Sequence, residues 1–359
     1  MEVERGLAKT VAVLWAAALA ACASADPPAL VEAEDAKPSP VTTEPWREAM
    51  ASVPDLDEAA RFFREIGGFE TVWRGSVSEG DLIDNWDLPD GASGEALVLR
   101  APGREHGLIR LIRFDDAGRK VPTRPGARAW DTGCFFSLMV RAKNMSAIYD
   151  DAVAMGWWTE TPIADLQFGA STLKIVIFRG PGGMQVQAYE RLSPPLPEAF
   201  GDFERLSQPF NIMQMVRDRE AMRVLAEGVL GFDRFWFGEP YTDPEPTFMP
   251  LGIPYNLTTE IPYKAGIFYP VEGEFGRLEA IEINGLEGRD YAERCNAPNF
   301  GWLSVAYPVE DAEAAARTIL ERGWTLETEP ARIDRPPYGE VALFRIKTPD
   351  GANIEFFSE

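Results

Sequence analysis

The sequence predicts an α+β protein made of four βαβββ modules, and two observations lead to this prediction. Landmarks of the first half recur in the second half at a nearly constant spacing of about 165 residues, which indicates an internal duplication. Within each half, a short alternating strand precedes an amphipathic helix and three further strands, and this order occurs twice. The paired landmarks are Asp55 and Asp218, Gly68-Phe69 and Gly231-Phe232, Gly156-Trp157 and Gly323-Trp324, and Gly183–Gln187 and Gly351–Glu355.

The individual elements follow from periodicity. Apolar residues at helical spacing predict helices over Asp57–Ile66 and Asp311–Arg322, and the glycine after each pattern is typical of a helix C-terminus. Alternating apolar residues predict strands on either side of these helices. The clearest predicted strands are Phe135–Val140, Leu303–Tyr307, Gly339–Ile346 and Asn353–Phe357, the last two separated by the turn 348–351.

Length and composition predict the number of domains and argue against nucleic acid as a partner. A chain of 359 residues is too long for one ordinary core, so two domains are expected, over residues 46–192 and 206–359 with a linker at 193–205. The hydrophobic fraction of 45% and charged fraction of 26% are those of a globular protein. A net charge of −22 argues against nucleic acid as a partner, because a phosphate backbone requires a basic face.

The N-terminus predicts export and lipidation. The apolar run Thr10–Ala21 is too short to span a bilayer and is typical of a signal peptide, here residues 1–21. Leu19–Cys22 resembles a bacterial lipobox, which implies lipidation of Cys22, and Ala23 after the cysteine favours the outer membrane. An ordinary cleaved secretory peptide is the alternative. Residues 22–45 are rich in proline and are predicted to be a flexible tether. The expected location is therefore the bacterial cell envelope, lipid-anchored at the periplasmic face of the outer membrane.

Two further cysteines, Cys134 and Cys295, lie in different halves of the chain. Sequence does not define their pairing, because their distance in space is unknown. We expect buried free thiols, with a structural disulfide as the alternative.

The module order resembles that of the vicinal oxygen chelate superfamily, which includes glyoxalases, bleomycin resistance proteins and extradiol dioxygenases. Two motifs carry the resemblance, D-L-D-E-A-A-R-F-F at Asp55–Phe63 and T-P-D-G-A-N-I-E-F at Thr348–Phe356, and it extends from Trp46 to Glu359. The resemblance implies that two modules form one domain whose curved sheet encloses a cavity. Modules one and two are expected to form the first domain, and modules three and four the second.

The resemblance also implies a metal held by inward-facing His and Glu residues on the first and last strands of paired modules. No His occupies any of these positions, and the only His of the chain, His106, is expected to be a solvated turn residue. We therefore predict no metal. The alternative is a hard cation, Mg²⁺ or Ca²⁺, on the four positions of the second domain. The positions obtained by register are Glu48, Ser137, Asn211 and Ser304 on first strands, and Arg110, Gln187, Glu279 and Glu355 on last strands.

Arg110 departs most from the family pattern. A guanidinium that points into a cavity either pairs with a carboxylate, here Glu48, or binds an anionic ligand group. The segment Phe235–Tyr269 is longer than a module needs, and it predicts a lid or a partner surface.

Three classes of function remain. The favoured one is an envelope lipoprotein that binds a small apolar or aromatic organic molecule without a metal, with Arg110, Ser137, Gln187, Asn211 and Ser304 as ligand-binding positions. The alternative is a lyase, isomerase or epimerase type of enzyme. In that case the carboxylates would transfer protons on a small-molecule substrate. The catalytic candidates are Glu279, Glu355 and Glu48. The third class is an inert scaffold or interaction protein.

Overall fold

The computed structural model describes residues 37–126 and 128–359. The predicted signal segment 1–21, Cys22 and the first part of the tether lie outside these residues. In the part of the chain that is described, no helix is both long and apolar enough to cross a membrane.

The first two modules each begin with a strand and a helix, and further strands follow. Module one contains β1 (Glu48–Ser52), α1 (Leu56–Arg61, continued by a π-helical turn over Phe62–Ile66), β2 (Glu70–Ser76), β3 (Ser93–Arg100) and β4 (Leu108–Asp115). In module two they are β5 (Phe135–Arg141), α2 (Met145–Ala154), β6 (Trp158–Thr159), β7 (Ala164–Phe168), β8 (Ser171–Arg179) and β9 (Gln185–Ser193).

The last two modules repeat the order. Module three contains β10 (Asn211–Met215), α3 (Arg219–Arg223, continued by a π-helical turn over Val224–Val229), β11 (Asp233–Phe237), β12 (Tyr263–Tyr269) and β13 (Arg277–Ile283). Module four contains β14 (Gly301–Pro308), α4 (Ala312–Glu321), β15 (Thr328–Asp334), β16 (Glu340–Lys347) and β17 (Asn353–Ser358). The predicted α+β class and the four modules are confirmed.

The predicted helices form because their ends are well capped. Asp55 accepts a hydrogen bond from the backbone N–H of Glu58, and Asp311 accepts one from the backbone N–H of Ala314. Gly323 follows α4 with a φ of 81°, a left-handed conformation that glycine adopts without strain. The predicted helix boundaries agree with the structure to within one residue at each end.

The strands form two sheets, and the modules combine in an unexpected way. One sheet has the order β15-β16-β17-β14-β1-β4-β3-β2 and combines modules one and four; we call it the one–four sheet. The other has the order β11-β12-β13-β10-β5-β9-β8-β6, with β7 paired to β8, and combines modules two and three; we call it the two–three sheet. The expected pairing of module one with two, and of three with four, is wrong. The first strands join the modules: β1 pairs with β14, and β5 pairs with β10.

The strands at the centre of each sheet have two different faces. Ala49, Leu138, Ile212 and Val305 belong to one apolar core, in which helix residues such as Phe62 also pack. The alternate residues of the same strands point to the concave side of each sheet, because side chains alternate along a strand. The inward positions predicted from sequence lie on this concave side.

A disulfide joins Cys134 and Cys295, whose Cα atoms are 5.0 Å apart. The expectation of free thiols is therefore wrong. Cys134 directly precedes β5 of the two–three sheet, and Cys295 precedes β14 of the one–four sheet. The bond therefore connects the segments that lead into the two sheets.

The end of the predicted tether is packed against the folded body. The backbone N–H of Val41 donates to the carbonyl of Leu230, and the hydroxyl of Thr42 donates to the carbonyl of Pro308 at 2.6 Å. Thr42 is buried. The predicted flexibility of residues 22–45 therefore does not apply to this last part.

Candidate ligand-binding site

The eight predicted site positions separate into two groups of four. Glu48, Arg110, Ser304 and Glu355 lie on strands of the one–four sheet. The remaining four, Ser137, Gln187, Asn211 and Glu279, lie on strands of the two–three sheet. The grouping by sequence halves is therefore corrected, since the first strands pair across the halves. In particular, the set considered for Mg²⁺ or Ca²⁺ is divided between the two sheets.

The concave face of the one–four sheet carries a buried cluster of charges. Glu48 is completely buried and accepts two hydrogen bonds from Arg110, at 2.8 Å from Nε and 3.1 Å from Nη2. Of the two alternatives for Arg110, the pair with Glu48 is therefore the one observed. A second guanidinium, that of Arg335, donates to Glu48 at 2.9 Å and to Glu355 at 2.7 Å. Asp81 lies 3.6 Å from the same group.

Arg335 holds the two predicted catalytic carboxylates of this sheet in place. Burial alone raises the pKa of Glu48, but the charges of Arg110 and Arg335 outweigh it and lower the pKa to about 2. The hydroxyl of Tyr338 also donates to Glu48, and the amide of Asn85 donates to Glu355. Glu48 therefore stays ionised at neutral pH and is a weak base.

The concave face of the two–three sheet lines a cavity of about 190 Å³. Apolar side chains form most of its wall, and they come from several strands and from the loop between β11 and β12. An adjoining vestibule of about 600 Å³ shares part of this lining and opens to the surface. The apolar wall includes Met139, Leu173, Ile175, Phe210, Met213, Met249, Leu251 and Ile281.

The loop within the predicted lid segment Phe235–Tyr269 contributes to this cavity. Met249 and Leu251 are buried and line the wall, although the loop that carries them lies outside the regular strands. Exposed aromatic side chains of the same segment, Trp236, Tyr241 and Phe248, line the vestibule. The segment therefore covers one side of the cavity.

The four predicted positions of this sheet form two hydrogen-bonded pairs. The hydroxyl of Ser137 donates to the carbonyl oxygen of Gln187 at 2.9 Å, and the amide of Gln187 donates to the hydroxyl of Tyr189. The amide of Asn211 donates to Glu279 at 2.6 Å. Gln187, Asn211 and Glu279 line the cavity, so these polar groups are available to a ligand.

Glu279 is the group of this site that titrates near neutral pH. Burial raises its pKa to about 7, and the hydrogen bond from Asn211 and the charge of Arg277 offset only part of this effect. Burial also raises the pKa of Tyr189 and of Tyr263, which both line the cavity, so these hydroxyls stay protonated. Glu279 can therefore accept or release a proton under physiological conditions.

Three arginines that were not predicted as site residues also line this cavity. Arg141 lies four residues after Ser137 on β5, Arg191 four after Gln187 on β9, and Arg277 two before Glu279 on β13. Each therefore shares a strand face with a position that was predicted to point inward. Alternation along the strands places these arginines on the inward face, but it does not show that they line a cavity.

Neither sheet offers residues that fit a catalytic metal. In the one–four sheet, two guanidinium groups lie among the carboxylates and would repel a cation. In the two–three sheet, Glu279 is the only carboxylate among the four positions. Among the described residues, no group of three or more His, Cys, Asp or Glu side chains is arranged to hold a metal ion.

His106 is half-buried rather than solvated, which corrects the sequence-based expectation. Its ring lies 4.6 Å from that of Phe275, and its Nε2 is buried without a hydrogen-bond partner among the described residues. Burial, reinforced by the charge of Arg104, lowers its pKa. It does not line the cavity.

Two half-barrel sheets, each built from two βαβββ modules, define the vicinal oxygen chelate fold, and this chain has it. The chain is similar to glyoxalase I from Zea mays, with 15% identity, a TM-score of 0.56 and coverage of 88% of this chain and 92% of the other. It is also similar to a putative dioxygenase from Bacillus subtilis, with 14% identity, a TM-score of 0.53 and coverage of 88% and 85%. No family model and no curated protein matches the sequence.

Proposed function

We propose that this protein binds a small, largely apolar organic molecule in the cavity of the two–three sheet, without a metal. The observation that carries the proposal is the contrast between the two sheets. Buried ion pairs occupy the polar positions of one concave face, whereas the other lines a cavity of about 190 Å³ with an apolar wall and polar groups. Such a cavity is the usual form of a small-molecule site.

The test is a thermal-shift screen of the purified protein against a library of small lipophilic metabolites. A true ligand at about 100 times its Kd adds about 2.7 kcal/mol to the stability of the native state, which corresponds to a rise in Tm of about 5 °C. The variant Ala265→Phe is expected to lose this response, because Ala265 lines both the cavity and the vestibule.

The matched control is Ala331→Phe, which places the same side chain at a partly buried strand position of the one–four sheet. It should keep the response of the wild type. If no compound raises the Tm of the wild-type protein, the binding function is wrong and an inert scaffold is the remaining interpretation.

A second candidate function is an enzyme of the lyase, isomerase or epimerase type. Glu279, with a pKa of about 7, favours it, because a general base is most effective near the working pH. Glu48 and Glu355 are less suitable, since Arg110 and Arg335 hold them as ion pairs. For a ligand from the screen, the two functions separate on Glu279→Gln. A binding protein leaves the ligand chemically unchanged in both the wild type and the variant. An enzyme converts the ligand, and the rate of this conversion falls about 100-fold or more in the variant.

We further propose that the protein is lipid-anchored at the periplasmic face of a bacterial outer membrane. The apolar run Thr10–Ala21 and the Leu19–Cys22 motif support this location. The disulfide between Cys134 and Cys295 fits an oxidising compartment. Metabolic labelling with a radioactive fatty acid in a bacterial host should label the wild type and not Cys22→Ala. Equal labelling of both would exclude Cys22 as the anchor.

A further inference from the structure

The cavity contains a buried guanidinium that forms no ion pair with any described residue. Arg141 is 5% exposed and lines the cavity wall. Among the described residues, no carboxylate lies within ion-pair distance of Arg141, and its Nε is buried without a hydrogen-bond partner. Its neighbours are aromatic rings, with the guanidinium carbon 4.3 Å from the centre of Phe210 and 5.1 Å from that of Phe200. Burial of a charge without an ion pair is unfavourable, so such a group is well suited to bind an anion.

The other charges of the cavity compensate this guanidinium only in part, because the charge of Glu274 favours that of Arg141 while the charges of Arg191 and Arg277 disfavour it. Arg191 and Arg277 also line the cavity, and the Nε of each is buried without a partner. Arg277 pairs with Glu274 at 3.2 Å, so that carboxylate is already engaged. The other lining carboxylate, Glu279, accepts its hydrogen bond from Asn211. A cavity with three guanidinium groups and two carboxylates is unusual in a chain with a net charge of −22.

We propose that the ligand is a small organic anion with one charged group, such as a carboxylate, that binds to Arg141, and with an apolar body that contacts the methionine and leucine side chains of the wall. This inference rests on the proposed function and specifies the ligand class. A guanidinium presents two parallel N–H donors that match the two oxygens of a carboxylate. Arg191 also lines the cavity and adds positive charge near Arg141, since its charge disfavours that of Arg141.

Cavity size limits the body of the ligand. An apolar cavity of about 150 Å³ holds a benzene molecule. The volume of about 190 Å³ found here therefore suits one ring with a short acidic chain, or an aliphatic acid of similar size. Larger ligands would have to extend into the vestibule, which shares Phe168 and Met249 with the cavity.

The experiment compares acids with their neutral amides. Phenylacetate, phenylpropionate, benzoate and octanoate are titrated into the protein by calorimetry at pH 6.5, each beside the corresponding amide. At least one acid is expected to bind about 10-fold or more tightly than its amide, because a charge-assisted hydrogen bond contributes more than a neutral one. Arg141→Gln should remove this preference, and Arg141→Lys should keep part of it.

A second measurement separates binding from a structural role. Because Arg141 forms no ion pair, ligand-free Arg141→Gln should lose no more stability than the contacts with the rings of Phe200 and Phe210 contribute, about 2 kcal/mol. Arg345→Gln is the matched control, since Arg345 is equally buried and lies 4.2 Å above the ring of Trp86 in the one–four sheet. It should keep the affinity of the wild type for the acids.

The possible outcomes distinguish this inference from the proposed function. If amides bind as tightly as acids, or if Arg141→Gln keeps the preference for acids, the anion site is wrong while the binding function stands. A loss of stability clearly larger than these ring contacts contribute in ligand-free Arg141→Gln also overturns the inference, because it assigns Arg141 a structural role. If neither this panel nor the metabolite library yields any ligand, the proposed function itself fails.

Discussion

Replacing Arg335 with alanine is expected to lower the free energy of unfolding by about 3–5 kcal/mol, the usual effect of removing one partner from a buried ionic network. Arg335 is 1% exposed and donates hydrogen bonds to both Glu48 and Glu355. Without it, Glu48 keeps Arg110 as its only positive partner among the described residues, and both Glu355 and Asp81 lose a neighbouring positive charge. Urea unfolding at pH 7 measures the change.

Arg332→Ala is the control for this prediction. Arg332 lies three residues earlier and also forms an ion pair, with Glu340 at 3.1 Å, but its side chain is 72% exposed. Solvent screens such a pair, so the loss should stay below about 1 kcal/mol. Equal effects of the two substitutions would show that the buried cluster contributes no more than a surface ion pair.

The pH dependence of the Arg335 variant gives a second check. Because the folded-state pKa of Glu48 is lowered to about 2 from 4.5, its contribution to stability is present above pH 4.5 and is lost as the pH falls through 2. In Arg335→Ala this carboxylate protonates at a higher pH, since one of its two positive neighbours is gone. The difference in stability between wild type and variant should therefore decrease as the pH is lowered from 7 towards 2.

The sequence predicts the modules and their helices because these depend on local patterns. Asp311 caps α4 and Gly323 follows it, and both features are visible in the sequence. The pairing of modules does not depend on local patterns. All four first strands alternate in the same way, so nothing in β1 distinguishes β14 from β5 as its neighbour. The grouping of the eight predicted inward positions by sequence halves was consequently wrong.

The residues that decide the chemistry of the site were harder to predict. Arg335 lies between β15 and β16, outside any strand, and its contact with Glu48 joins residues 287 positions apart. Arg141 shares a strand face with Ser137, but alternation does not say whether the end of a strand meets solvent or a cavity. That distinction requires the neighbouring strand β10 and the rings of Phe200 and Phe210, which come from another module and from the linker.

The two sheets share the same arrangement of modules but differ in the polar groups on their concave faces. In the one–four sheet, the guanidinium of Arg335 lies between Glu48 and Glu355, two positions at which the family resemblance implies metal ligands. The chain itself therefore supplies the positive charge between these two carboxylates, which are already bound to a guanidinium group. In the two–three sheet, Arg141 has no such partner and the face remains open. The anion-binding role first considered for Arg110 is therefore better assigned to Arg141.

The variant Glu279→Gln is expected to be more stable than the wild type at pH 8, by about 3 kcal/mol, and equally stable at pH 4. The folded-state pKa of this buried carboxyl is about 7, whereas in the unfolded chain it is near 4.5. Between these values the unfolded chain releases a proton that the folded protein retains, so folding becomes less favourable as the pH rises. The difference of the two pKa values corresponds to about 3 kcal/mol. Glutamine removes this penalty and can still accept the hydrogen bond from Asn211.

Glu282→Gln, three residues further along β13, is the matched control because it should have the opposite sign. Lys264 donates to Glu282 at 2.8 Å. Burial raises the pKa of Glu282, but its hydrogen bonds with Lys264, Asn284 and the backbone N–H of Arg219 outweigh this and lower the pKa. This carboxylate stabilises the fold above pH 4.5, so its replacement should destabilise the protein at pH 8 and have less effect as the pH falls.

Urea unfolding of the wild type and both variants at pH 4, 6 and 8 tests the assignment of Glu279. The stability of Glu279→Gln relative to the wild type should increase steadily over this range, and most of the increase should fall between pH 4.5 and 7. A difference that stays constant with pH would show that the pKa of Glu279 in the folded protein is close to that in the unfolded chain, near 4.5. In that case Glu279 is a negative charge in the cavity at neutral pH. Such a charge would weaken the binding of an acid in the same cavity, so this measurement also bears on the ligand class assigned to it.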